Sequence, residues 1–392
     1  MEENRQEKFR MDFHLPIVCL TCYGRSGSVL LQGLFDNHPQ VISVPSHAMM
    51  EIEKFMQNKA FTDTTDIPTL IDRFIRTFPY LFRETDQSRP LRIVASMVTI
   101  GVPVKKFTQA LNDILTSLSP RHTEPAIFFR AVHYAYDLAL GRDIRKTKII
   151  VWQRHSPFLN DNYKIWLIEN IGNMRFLVPV RQPEVTLSSH FDYKNYAKDL
   201  PSTLKETSDL ILQLTAAGRV HSQLDSISRA VKFEHVHGNT ERVTKAMADW
   251  IGIDWNPTML EPTVDGKEQL FPKDETVVRG VNKSIEKKQR APHFSFFDRL
   301  VFQAINRSAY RNWGYSTLIS SDFINDIIAF VGVHIPLRME FEKFKIDLEE
   351  MNSMRAALRS AFKRRRETLR ALKNLNSVNA AKTSYKILNL LS

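Results

Sequence analysis

The sequence predicts an α/β protein: a parallel sheet flanked by helices, with a helical C-terminal extension. Three observations predict it. Short apolar runs alternate with stretches of helical period between residues 17 and 251, the pattern of a parallel sheet covered on both faces. A Gly/Ser-rich turn joins the first run to the first helical stretch, where α/β folds that hold phosphate place such a turn. Beyond residue 319 the sequence reads as added helices, and basic charge gathers there.

The elements follow in order. Ile17-Val-Cys-Leu-Thr-Cys22, after Pro16, is a short apolar run and reads as a buried strand. Its two cysteines lie three apart, and a strand sends such residues to opposite faces. They therefore read as buried strand residues, not as a redox or zinc pair. Val29–Phe35 has helical spacing and stops near His38-Pro39. Val41–Val44 is a second strand, closed by Pro45. Residues 47–140 read as a helical insertion with amphipathic stretches over Ile67–Phe78, Val104–Leu118 and Ala126–Leu140. Lys148–Trp152, Arg175–Val180 and Ala230–Glu234 supply three more strands, with helices over Tyr163–Ile171, from Pro183, through 204–226 and over Thr240–Ile251. Asn239 stands where a cap would start the last of these. Residues 256–297 read as irregular, Phe296–Ser308 as helical, and Tyr310–Tyr315 closes the α/β unit. The division is 1–318 for that unit and 319–392 for a basic helical extension.

Composition limits the function classes. The chain has 392 residues, 43% hydrophobic and 25% charged, an ordinary globular balance. No apolar run reaches the roughly 18–20 residues of a membrane span. The N-terminus shows no apolar stretch ending in a small-residue cleavage site, and two cysteines make no disulfide framework. A cytoplasmic location is the expectation. The net charge is +11, yet residues 351–392 hold ten Lys/Arg against the single acid Glu367. No nucleic-acid partner is expected, because the basicity belongs to a tail. In that tail Met354, Leu358, Phe362, Leu369 and Leu372 fall partly on one helical face. Four readings stay open for it: a solvated charge run, peripheral contact with the anionic inner face of a membrane, an acidic glycan, or a partner helix.

The turn Gly24-Arg25-Ser26-Gly27-Ser28 carries the chemistry. Glycines let backbone N–H groups converge on an anion, and the helix start adds partial positive charge. The Ser26 and Ser28 hydroxyls donate to phosphate oxygens, and Arg25 supplies a full charge. The nucleotide-triphosphatase pattern needs Gly-Lys-Ser/Thr after the loop, which is absent. A hydrolase elbow needs glycine where Ser28 stands. A ligand-free turn also remains open at this point.

The run from Tyr23 through Gly24–Ser28 and a Leu-rich helix to His38-Pro39 resembles the 5′-phosphosulfate loop of sulfotransferases that use 3′-phosphoadenosine 5′-phosphosulfate (PAPS). Phe176–Val180, then Arg181-Gln182-Pro183 and Ser189, resembles that family's 3′-phosphate motif, with Ser188 beside Ser189 as a competitor. Phe233–Ile253 resembles a later block, and Trp313-Gly314-Tyr315 the C-terminal ending. The three main blocks are in the family's order and cover most of residues 16–255. The resemblance implies a P-loop-like sulfotransferase domain over 1–318, with PAPS as donor, 3′-phosphoadenosine 5′-phosphate (PAP) as product and no metal. Gly24, Arg25, Ser26, Gly27, Ser28 and Val29 would hold the 5′ end, and Arg181 and Ser189 the 3′-phosphate. Arg279-Gly280 loosely matches a late basic segment on the same phosphate, beside the reading of a solvated loop. A donor with phosphate groups on both sides of its ribose needs two such anion sites.

Transfer to an acceptor hydroxyl needs charge stabilisation, which falls to Arg25, and a base. His155, in Val151-Trp-Gln-Arg-His-Ser-Pro157, matches the histidine of the family's Lys-Thr-His-x-Pro. Gln153 and Arg154 replace the Lys and Thr, with Arg154 as the substitute charge; other branches place Glu-Lys-Thr-Pro there, and His155 then maps onto no base. His47 and Glu51, beyond the second strand, are the reserve bases. His235 and His237 would share one strand face, but no third ligand at metal spacing accompanies them. The expected acceptor is a hydroxyl of a glycan, glycolipid or related metabolite, with 47–140 shaping its pocket and an oligomer allowed. Two other functions stay open: a magnesium-dependent nucleotide or phosphate-transfer enzyme, and an inactive nucleotide-binding scaffold acting through its basic tail.

Overall fold

The structure, a computed structural model, describes residues 11–45, 48–49, 51–64, 66–82, 101–155, 161–196, 224–268 and 293–332, with short pieces at 210, 213–214, 220–221, 270–273, 276–279, 281, 291, 334–335, 337–338, 354–355, 366, 382–383 and 388. The order is β1 (Ile17–Cys22), α1 (Ser28–Phe35) and β2 (Val41–Ser43). A helical block follows: α2 (Ile52–Gln57), α3 (Lys59–Thr62), α4 (Ile67–Thr77), α5 (Val104–Ser117) and α6 (Pro125–Ala139). Then come β3 (Ile149–His155), α7 (Asp161–Ile171), β4 (Met174–Val180), α8 (Pro183–Tyr196), β5 (Ser228–Lys232), α9 (Phe233–Gly238) and α10 (Thr240–Ile251). A hairpin of β6 (Leu270–Lys273) and β7 (Thr276–Arg279) precedes α11 (Phe296–Ile305), α12 (Arg307–Asn312) and α13 (Asp322–Gly332).

The main sheet has five strands in the order β2-β3-β1-β4-β5, and every neighbouring pair is parallel. The central β1 is buried at all six residues, as its unbroken apolar run requires. After β1 the chain crosses to β2 at one edge; after β4 it crosses to β5 at the other. The carboxyl ends of these adjacent strands therefore send their loops apart, which opens a crevice at the point where strand order reverses. The two motifs singled out in the sequence follow these two strands.

Side-chain alternation builds a core on each face. Ile17, Cys19, Ile150, Trp152, Phe176 and Val178 pack against the helical block. Val18, Leu20, Val151, Leu177 and Val231 pack with Leu30, Leu31 and Leu34 of α1 and Val243 and Met247 of α10. Both cysteines are free and buried. Cys19 lies in the first core, whereas Cys22 Sγ lies 3.4 Å from Gln153 Nε2 on the other side. Burial raises both thiol pKa values, that of Cys22 to about 12, so neither is a thiolate at neutral pH.

Several elements differ from the sequence reading. β3 runs on to His155, because Gln153 and Arg154 are polar residues with buried partners rather than the start of a loop. The fifth strand ends at Lys232, and Phe233–Gly238 turns helical. His235 and His237 therefore sit on a short helix, not on one strand face. Within the stretch read as irregular, β6 and β7 pair antiparallel. In the extension read as helical, Lys382–Thr383 is extended and pairs with Val220–His221, which also departs from the helix expected over 204–226. Asn239 does cap α10, its side chain accepting from Arg242 N at 3.3 Å.

Candidate active site

The turn after β1 is shaped for an anion. Arg25 and Gly27 both adopt left-handed backbone angles, φ 63° and 94°, on either side of Ser26. Such alternation turns successive N–H groups into one concavity, and a left-handed arginine is strain that a functional loop retains. Gly27 stands at the N-cap of α1, which has no side-chain cap, so the first-turn N–H groups keep their capacity to bind a ligand. Phe233 makes glycine obligatory there: a Cβ would lie 2.2 Å from its Cδ2. The Ser26 hydroxyl is buried with no protein partner. Ser28 Oγ accepts from Gln153 Nε2 at 3.1 Å, and Val29 lies in the first helical turn.

The second motif meets the first across the crevice. Arg25 Nε donates to Ser189 Oγ at 3.4 Å, joining the loop after β1 to α8. Of the two adjacent serines, Ser189 faces the loop. The Ser188 hydroxyl is buried without a protein partner. Arg181 leaves the end of β4, its backbone N–H donating to Tyr23 Oη at 2.9 Å and its guanidinium 4.8 Å over the Phe233 ring. Burial lowers the Arg181 pKa; Glu234 opposes this, and the like charge of Arg25 adds to the lowering. Each of the two facing motifs thus carries a guanidinium, the charge that favours an anion there. His237, whose ring centroid lies 4.4 Å from that of Phe233, is neutral, its pKa lowered to about 4 by burial and then by Arg181.

The Trp-Gly-Tyr segment braces this crevice. Trp313 stacks on Tyr23 with ring centroids 5.9 Å apart and planes 5° from parallel. Tyr315 Oη donates to Glu234 at 2.7 Å, and Glu234 also accepts from Gln182 N at 3.1 Å. Lys232 Nζ donates to Gly314 O at 3.2 Å. Glu184, at the start of α8, accepts from Gln303 Nε2 at 3.0 Å and Tyr310 Oη at 3.1 Å, which ties α11 and α12 to the same helix.

Among the candidate bases, His155 ends β3 opposite Cys22 and is half-buried. Arg154 points to the other face of the sheet. Its Nη2 pairs with the fully buried Glu53 at 3.0 Å and approaches Glu51 at 3.8 Å, and its Nε donates to Tyr163 Oη at 3.1 Å. Arg154 therefore does not supply charge to the loop; Gln153 is the β3 residue that reaches it. Glu51 is left-handed at φ 73°, half exposed, and ion-paired with Lys54 at 2.6 Å. Burial raises the Glu53 pKa, against the pull of Arg154.

His47 and Gly280 lie outside the described residues. Arg279 is placed by its backbone only, at the end of the β6–β7 hairpin opposite Leu270. Val281 packs on the core that Phe233 also lines. Among the described residues no cluster of His, Cys, Asp or Glu has the makings of a metal site, and no helix is long and apolar enough to cross a membrane.

No protein-family model and no curated protein matches the sequence. Solved structures do. A sulfotransferase domain from the curacin biosynthetic pathway aligns at 11% identity over 81% of this chain and 97% of its own, with a TM-score of 0.33. The sulfotransferase domain of the Synechococcus PCC 7002 olefin synthase aligns at 15% identity over 82% and 94%, TM-score 0.31. A Mycobacterium avium sulfotransferase aligns at 10% identity over 66% and 68%, TM-score 0.32. At this level of overlap the likenesses carry no argument, and the reading of the site rests on its own geometry.

Sequence reasoning quoted Tyr23, Gln153, Phe233 and Glu234 within its motifs but gave them no role, and it did not single out His190 or Glu53. His190 Nδ1 lies 3.6 Å from where a Cβ on Gly24 would be. The signal for Phe233 and Glu234 was present, since both lie in the block that resembles the family. Nothing local marks Glu53, whose partner Arg154 is about a hundred residues away.

Proposed function

We propose that the chain is a sulfotransferase that moves a sulfuryl group from PAPS to a hydroxyl of a glycan, glycolipid or related metabolite, without a metal. One observation carries the reading. The left-handed turn after β1 and the arginine-serine pair after β4 meet at the switch point of a parallel sheet, joined by Arg25 and Ser189. The residues fit the donor: the buried, unpartnered hydroxyl of Ser26 in the turn, and a guanidinium on each motif, Arg25 and Arg181, are what a molecule with two separate phosphate groups would satisfy.

In this reading the turn and Arg25 hold the 5′ end, and Arg181 and Ser189 hold the 3′-phosphate. When bound, the donor supplies an activated sulfuryl group, and its transfer leaves PAP. Arg25 and the first N–H groups of α1 stabilise charge on the departing phosphate. His155, at the end of β3, takes the acceptor hydroxyl's proton. Glu51 is the reserve base and needs release from Lys54 to act.

The test is calorimetric titration with PAP, without magnesium, on wild type and Arg181→Ala. Losing a charge-assisted phosphate contact costs about 1.5–3 kcal/mol, roughly ten-fold or more in affinity. Binding in the wild type that weakens this much in the variant supports the reading. Binding only to ATP with magnesium overturns it.

A further inference from the structure

Helix α13 shows apolar residues to solvent. On α13, Phe323 is 74% exposed and Phe330 75%, with Ile324, Ile327 and Val331 about half exposed. The spacing of Phe323, Ile327 and Phe330/Val331 puts them on one helical stripe. Phe296 and Phe297, at the start of the neighbouring α11, are also exposed. The opposite side of α13 is held firmly. Asn325 and Gly332 are buried, and a Cβ at Gly332 would lie 2.7 Å from Val301 of α11. Asp322 pairs with Arg311 and Asp326 with Arg307. The apolar stripe is therefore fixed outward rather than loosely packed. A contiguous exposed patch of this kind marks a contact surface.

We infer that this face docks on an anionic bilayer surface. Two observations choose that occupant over another protein. The face is a row of phenylalanine, isoleucine and valine side chains, and both acids of the helix that carries it are ion-paired with arginine. The same chain then continues into 351–392, with ten Lys/Arg against one acid. Residues 339–350 between them carry five acids and two lysines, so the attraction belongs to the distal segment. Apolar insertion and a basic cluster are the two signals that together hold a protein on an anionic membrane, where either alone is marginal. The inference is independent of the proposed chemistry.

Vesicle co-sedimentation of the full chain tests it, with phosphatidylglycerol-containing and pure phosphatidylcholine vesicles. Wild type should bind the anionic vesicles, less at high salt. Phe323→Ser with Phe330→Ser should weaken that binding about ten-fold or more, with an unchanged thermal melt because both side chains are exposed. Replacing Lys363, Arg364, Arg365 and Arg366 by Gln should weaken it as well. Absence of wild-type binding overturns the inference, and so does full retention by the Phe323/Phe330 variant. A wild-type dimer in light scattering that this variant splits, without vesicle binding, assigns the face to a second copy and overturns it too.

Discussion

At the residue scale, one glycine decides whether the turn after β1 can form. Gly27 has φ 94°, and an added Cβ would lie 2.2 Å from Phe233 Cδ2 and 2.6 Å from Cε2. The left-handed angle alone costs an L-residue about 1 kcal/mol. The clash has no cheap relief, because Arg181 sits over the same ring. Gly27→Ala is expected to lower the melting temperature by several degrees and to abolish PAP binding, read by thermal melt and calorimetry. Gly252 is the control: it is also left-handed, at φ 85°, but a Cβ there meets nothing within 4 Å. Gly252→Ala should show only the conformational cost of about 1 kcal/mol and retain binding. Equal effects of the two substitutions would refute the role given to Phe233.

At the element scale, Arg142 joins three pieces of the chain. It pairs with Asp36 at the end of α1 at 3.3 Å, with Asp137 of α6 at 3.1 Å and with Asp265 at 3.8 Å. Asp36 also accepts from Thr263 Oγ1 and Gly266 N, each at 2.7 Å. Three carboxylates share one cation in a buried space. Burial raises the Asp137 pKa to about 7; Arg142 opposes this, and Asp36 and Asp265 add to the rise. Between its ordinary value near 4 and about 7, the native state keeps a proton that the unfolded chain has lost. Stability contributed at this site therefore falls as pH rises through that window. Asp137→Asn, which holds the neutral form at every pH, should flatten the fall. Its melting temperature should approach or exceed that of wild type above pH 7, in parallel melts from pH 5 to 8. An unchanged slope would show that Asp137 ionises normally.

At the scale of the whole molecule, the chain end returns to the sheet. Leu388 is buried in the core beside α1 and α10, and its N–H donates to Ala230 O of the edge strand β5 at 2.8 Å. An open edge of a parallel sheet is otherwise exposed to wrong pairing. Leu388→Asp places a charge in that core and should lower the melting temperature by several degrees, with faster hydrogen exchange along β5. An unchanged melt would mean that the segment does not hold the edge. The long-range pairing also explains why the extension was read as helical throughout. The apolar spacing of Met354–Leu372 is visible locally, whereas an extended piece such as Lys382–Thr383 takes its shape from Val220–His221, some 160 residues earlier.

Much of the fold was legible because it is written in local patterns. Unbroken apolar runs gave the buried parallel strands, and helical spacing placed α4, α5, α6 and α10 to within a residue or two. Gly24–Ser28 stood out as a Gly/Ser turn between a strand and a helix, and Arg181 with Ser189 through the resemblance of the block that holds them. The sequence by itself thus determined the sheet, the Gly/Ser turn after its first strand and the position of the basic charge. Tertiary structure decided which polar residues meet. Arg154 and Gln153 are neighbours, yet strand alternation sends Arg154 to Glu53 and Gln153 to Ser28. The same packing places Phe233 under Gly27 and Trp313 on Tyr23. Such contacts join residues far apart in the chain, and only the folded arrangement of strands brings them within reach.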